Sequence, residues 1–93
     1  MRLVGREKLD TFARKHADAR LWIENWIADV EAADWKRDQD IKDRYRAASF
    51  LANNFVIFNV KGNRYRLEIQ VAFKTGIVFV KRVGTHAEHQ KWS

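Results

Sequence analysis

The sequence predicts an α+β fold: an antiparallel β-sheet with two N-terminal helices packed on one face and a short C-terminal helix. Three observations carry that expectation. Residues 55–83 read as three strands separated by two short loops rich in turn formers. Within the middle strand, Tyr65, Leu67, Ile69, Val71 and Phe73 alternate with Arg64, Arg66, Glu68, Gln70 and Ala72. A period of two makes one face core and the other wet, with two arginines on the wet side. Upstream, Trp22, Ile23, Trp26, Ile27, Val30 and Ala33 recur at helical spacing, an apolar ridge suited to packing on a sheet.

Taken in order, residues 1–4 suit a short edge strand, with Gly5 permitting the turn out of it. Residues 6–15 read as a helix with Leu9, Phe12 and Ala13 on one stripe, and His16 closes it as a surface or half-buried residue. Asp18 is placed to N-cap the helix over residues 19–33, where its carboxylate would accept from free first-turn amides. The Trp22/Trp26 pair, four residues apart, is read as the packing ridge that docks on the sheet. Residues 34–54 alternate in charge and offer one helical turn at Ile41 and Tyr45, before Asn53-Asn54 punctuate the entry to the sheet. The strands are then 55–60, 64–73 and 77–83. Lys61-Gly62-Asn63 contains two residue types that tolerate positive φ, and Gly76 ends the second loop. The outer two strands carry apolar residues on both parities, so they line more than one covered surface or a groove.

Composition bounds the function. Ninety-three residues make a single domain, 1–93, able to bury roughly 60–65% of the surface of its unfolded chain. The absence of cysteine excludes disulfides and thiolate metal sites and fits a reducing compartment. Neither a signal-peptide pattern nor a membrane-length apolar run is present, so a soluble, cytoplasmic protein with no membrane partner is expected. Residues 1–54 hold 11 Lys and Arg against 10 Asp and Glu, a net of +1, whereas residues 55–93 hold 7 against 2, a net of +5. Most of the +6 charge therefore belongs to the sheet and C-terminal tail, which suits a polyanionic partner.

The glycines are isolated at turns rather than gathered into a phosphate-cradling loop, and no G-x-S-x-G elbow occurs. His86 and His89 lie three apart without a third ligand at a recognised spacing, so no metal or other cofactor is implied. What stands out is a basic face beside imidazoles: Arg64 and Arg66, Lys81 and Arg82 on the next strand, then His86 and His89. That set fits cleavage of an RNA phosphodiester by its own 2′-hydroxyl. Arginine stays charged and grips phosphate oxygens through a planar fork, and histidine moves protons near neutrality. Two other classes share the surface: a non-catalytic RNA- or ribosome-binding module, and a DNA-facing regulator acting only within a complex.

The segments FVIFNVKGNRYRLEIQV and IVFVKRVGTHAEH resemble the signature of HigB-type toxins of bacterial toxin–antitoxin modules, members of the RelE-like superfamily of mRNA interferases. The matching elements are Phe58-Asn59-Val60, Gly62-Asn63, Tyr65-Arg66-Leu67 and Gly84-Thr85-His86-Ala87-Glu88. The resemblance implies a RelE-like domain and a metal-independent endoribonuclease that cuts mRNA, usually on the ribosome. It also implies neutralisation by a cognate helix-turn-helix antitoxin, with DNA contacted only through that complex. By the same resemblance Arg66 is assigned to the scissile phosphate, His86 to proton transfer or phosphate contact, and His89 is a candidate acid or base. Arg64 and Lys81 become RNA-backbone contacts, with Lys61 and Arg82 also on the RNA-binding surface. Asn59, Gly62 and Asn63 are structural, and Tyr65 faces the core. The sequence departs from the family pattern at His89, where tyrosine is usual, and at Lys81, where arginine is common.

Overall fold

Alternation sets Tyr65, Leu67, Ile69 and Val71 on the buried side of a strand, and that strand lies at the centre of the sheet. In the computed structural model, which describes residues 1–92, the described residues form one five-stranded sheet and four α-helices. The order is β1 (Arg2–Val4), α1 (Arg6–Lys15), α2 (Arg20–Ala32), α3 (Asp38–Arg44), β2 (Ser49–Leu51), β3 (Phe55–Val60), β4 (Tyr65–Ala72), β5 (Ile77–Thr85) and α4 (His86–His89). Across the sheet the strands lie β1-β5-β4-β3-β2.

The antiparallel meander is present, with β3 on β4 and β4 on β5, and β2 adds antiparallel to β3. The sheet is nevertheless mixed, because β1 runs parallel to β5, pairing Leu3 with Val78. No hairpin ties β1 to β5, so nothing local fixes its direction; a strand that leads straight into a helix can add either way. Gly5 makes that exit. Its φ is 91°, a conformation that L side chains rarely adopt, and a Cβ there would press within 3.0 Å of the Val80 carbonyl oxygen.

Leu9 and Phe12 of α1, the Ile23/Trp26/Ile27/Val30 stripe of α2, and Ile41 of α3 all join one core with the inward residues of the strands. The central contact is Trp26 edge-on to Phe58, with ring centroids 5.6 Å apart. Trp26 is 1% exposed, and its indole N–H is buried without an acceptor. Trp22, half-buried, packs against the same core and meets Tyr45, which itself packs on Phe58. The hydroxyl of Tyr45 donates to Asp29, an acceptor shared with Arg44, so α3 is fastened to α2. Burial, and then the Asp29 carboxylate, push the Tyr45 phenol far above its usual range.

Two local expectations change. Asp18 does not cap α2, which starts behind a 3-10 turn at Ala17–Ala19 without a side-chain cap. Its carboxylate instead accepts from the Tyr65 hydroxyl at 2.7 Å and pairs with Arg64 at 2.8 Å. A phenol and a guanidinium reaching in from the sheet outcompete the first-turn amides. In the β3–β4 turn, Lys61 and Gly62 take positive φ, not Asn63, and β4 begins at Tyr65.

Candidate active site

The helices α1 to α3 share one face of the sheet, and the other face presents half-buried Phe55, Ile57 and Phe79 beside Arg66, Lys81 and Arg82. A bulge shapes this face. Glu68 pairs with Arg82 and the next residue, Ile69, with Val80, so Lys81 is the extra residue in β5. A bulge resets the alternation of its strand, which is why Val78 and Val80 point inward yet Val83, rather than Arg82, resumes the inward row. Lys81 and Arg82 are both exposed as a result, and the Lys81 ammonium lies 5.6 Å from the Phe79 ring centroid.

Register then gathers the expected residues at one end of the sheet. Arg66 lies directly across from Gly84, and Tyr65 from Thr85, immediately before His86. The amide of His86 donates to the carbonyl of Arg64 at 3.0 Å, tying the start of α4 to the start of β4. The Lys61 turn closes the same end, since Arg64 donates back to the Lys61 carbonyl. Arg66 is half-buried and donates to the carbonyl of Tyr65 at 3.2 Å.

The cations are not equivalent. Among the described residues no carboxylate pairs with Arg66, Lys81 or Lys61, while Arg64 pairs with Asp18 and Arg82 with Glu68. The Arg64–Asp18 pair is an exposed one and can exchange partners at little cost. By contrast, Glu68 is 7% exposed and is the one buried charged side chain among the described residues, so Arg82 is held in place.

The helix α4 is short, and its sequence explains why it forms. Thr85 accepts from the Glu88 amide at 3.1 Å while the Glu88 carboxylate accepts from the Thr85 amide at 2.8 Å, a reciprocal capping box. The bond from the Thr85 amide holds the Glu88 carboxyl below its ordinary range. Thus Thr85 and Glu88 present the exposed His86 and the half-buried His89, three residues apart, at the margin of the open face. His86 lies 3.3 Å from the Gln90 side-chain nitrogen, and His89 meets the edge of Trp92 with ring centroids 5.2 Å apart.

A family model described as HigB_toxin, a RelE-like toxic component of a toxin-antitoxin system, matches residues 19–92. The chain belongs to the HigB toxin family. Membership makes it the toxic component of a toxin–antitoxin pair and implies an antitoxin as partner. No curated protein matches the chain. Among the described residues of this HigB toxin, no helix is long and apolar enough to cross a membrane.

Beyond the match to the family, one feature of the HigB site had a weak signal in the sequence and another had none. The T-x-x-E spacing at Thr85 and Glu88 is a helix-start signature. Glu68, on the wet parity of its strand, gave no sign that it would be buried; only the cross-strand partner Arg82 explains it. A cleft of about 530 Å³ also opens between α1 and the C-terminal segment, lined in part by Phe12, Lys15, His16, Arg82, Glu88 and Trp92. His16 stacks on Phe12 there, with ring centroids 4.3 Å apart.

Proposed function

We propose that this HigB-family toxin is a metal-independent endoribonuclease that cleaves mRNA, on the translating ribosome, and so inhibits translation until a helix-turn-helix antitoxin neutralises it. The observation that carries the reading is the register setting Arg66, free of any carboxylate partner among the described residues, opposite Gly84 and two residues from His86. The sheet thereby offers a guanidinium with no carboxylate partner among the described residues, and the strand across from it leads directly into the exposed His86.

In this reading the 2′-oxygen of a ribose attacks its own 3′-phosphorus as the bond to the 5′-oxygen breaks, leaving a 2′,3′-cyclic phosphate and a 5′-hydroxyl. Arg66 holds the equatorial oxygens, where negative charge accumulates in the transition state. His86 and His89 divide the proton transfers, one taking the 2′-hydroxyl proton and the other protonating the leaving 5′-oxygen. Lys81 and Lys61 hold flanking phosphates, and Arg64 joins them by exchanging Asp18 for RNA. His89 occupies the place where the family pattern has tyrosine, so an imidazole rather than a phenol stands beside the phosphate.

The test is cleavage of a defined mRNA by purified protein, alone and with programmed translating ribosomes, alongside growth arrest on induction with and without the antitoxin gene. Cut products ending in cyclic phosphate support the reading. Binding without cleavage by the wild-type protein, with cleavage gained in His89→Tyr, would instead make it a binding module whose catalytic site has lapsed.

A further inference from the structure

Arg82 faces the solvent side of the sheet and looks like one more phosphate ligand, yet its guanidinium is already occupied on three sides. Its Nε donates to the Glu68 carboxylate at 3.1 Å, its Nη1 donates to the Trp92 carbonyl at 3.2 Å, and its plane lies 5.3 Å from the Trp92 ring. The carboxylate is side-chain buried to 90%, and a charge so placed is stable only while its partner stays. On the far side, the Trp92 ring rests against Gly84, where an added Cβ would lie 3.2 Å from Cζ2. The ring also meets the edge of His89.

We propose that Glu68, Arg82 and Trp92 are positioning residues: together they form a clamp that fixes the C-terminal segment over the sheet and sets the orientation of the His89 ring. The capping box fastens the first residues of α4, and the clamp fastens the segment one turn later, so His89 lies between two anchors. A single anchor would leave a four-residue helix free to fray, since so short a helix has little stability of its own. Gly84 allows this close approach, since an added Cβ would press on both the indole and the Glu88 side chain. The assignment of His89 to catalysis rests on the RNA-cleavage reading above; the clamp itself does not.

The experiment uses the full chain in solution and separates the two. Gly84 Hα signals, displaced by the indole ring current, report whether Trp92 is seated, and Trp92→Phe assigns its indole among four tryptophans. Arg82→Lys keeps the charge but loses the fork and the flat stacking surface. The double variant Glu68→Leu/Arg82→Met removes the pair without stranding a buried carboxylate, so the fold survives. In both, the Gly84 and His89 signals should move toward ordinary values while those of the core residues Val30 and Ile41 stay put. Cleavage should fall about 10- to 100-fold in kcat with KM little changed, as expected when a catalytic group is misplaced rather than lost. Unchanged Gly84 and His89 signals in the double variant would overturn the clamp. Unseated signals with unaltered kcat would overturn its role in positioning. A wild-type protein that does not cleave RNA would remove the catalytic reading, and the Gly84 signals would still decide the clamp.

Discussion

The two faces of the sheet share every strand and obey different rules. On the helix-covered face, Val56, Phe58, Val60, Leu67, Ile69 and Val78 are almost wholly buried in one core. On the open face, charge decides the arrangement: Glu68 captures Arg82, Asp18 captures Arg64 from the margin, and Arg66 and Lys81 are left over. Apart from the Trp26 indole N–H, the first face is satisfied by packing among the described residues. The second holds cations that no carboxylate among the described residues neutralises, and this is where a polyanionic partner would gain most. The candidate site residues therefore sit where internal consistency lapses.

If the two faces are separable, chemistry can be removed without touching the fold. His86→Ala should lower RNA cleavage by roughly 10²–10⁴-fold, the usual contribution of a proton-transfer group. Arg66→Ala should lower it by about 10²–10³-fold, as for loss of one transition-state charge stabiliser. Both variants should unfold at the wild-type denaturant midpoint, because His86 is exposed and Arg66 lies off the core. Full activity in both would sink the site assignment, and a large stability loss in either would break the separation.

The converse change strikes the buried face. Trp26→Ala removes a side chain that is 1% exposed, and should cost about 3–5 kcal/mol, seen as a lower denaturant midpoint at unchanged m. Trp26→Phe should cost much less, since it keeps an aromatic edge for Phe58 and deletes the buried N–H that has no acceptor. Equal losses in the two variants would mean that the indole N–H contributes something the packing alone does not.

These two faces were also unequally legible in the sequence. The buried one is written in periodicity: the alternation of residues 65–71 and the Ile23/Trp26/Val30 stripe map directly onto the core. The open face depends on pairings that no local pattern encodes. The bulge at Lys81 shows in the sequence only as a slip from Val78 and Val80 to Val83, and such a slip looks like poor alternation. Glu68 is buried because Arg82 lies across from it, which requires knowing the register. Asp18 has the right residue type for a cap, but a partner 47 residues away in sequence claims it. The direction of β1 had no local signal at all. The candidate residues Arg66 and His86 could be named from spacing and resemblance, whereas which of the surrounding cations are free could not.

That partition of cations can be sharpened with salt. For single-stranded RNA each neutralised phosphate contributes about 0.7 to the slope of log K against log salt. Lys81→Ala should flatten the slope by about that amount, since among the described residues no carboxylate pairs with its ammonium. Arg64→Ala should flatten it by less, because RNA binding to the wild type must first displace Asp18. Equal changes in the two variants would show that the Asp18 pair does not compete with phosphate.

The smallest effect lies at the seam between the faces, where Tyr65 emerges from the core side and Arg64 from the turn, and both meet Asp18. The Tyr65 hydroxyl bond, and after it the Arg64 guanidinium, holds the Asp18 carboxyl below its ordinary range; the same bond raises the Tyr65 phenol. A carboxyl depressed in the folded state stabilises the fold above its unfolded pKa of about 3.9, and that contribution is lost as pH falls through the lower folded value. Asp18→Asn should therefore melt slightly below wild type at pH 7, and the two melting curves should converge as the pH approaches 2. Part of the acid limb should persist in the variant, because Glu88 is shifted the same way by the Thr85 amide. Tyr65→Phe should weaken the Asp18 contribution in the same direction, since the bond it deletes is the main cause of the shift. A constant gap between wild type and Asp18→Asn from pH 7 to pH 2 would mean that Asp18 acts there by shape rather than by charge.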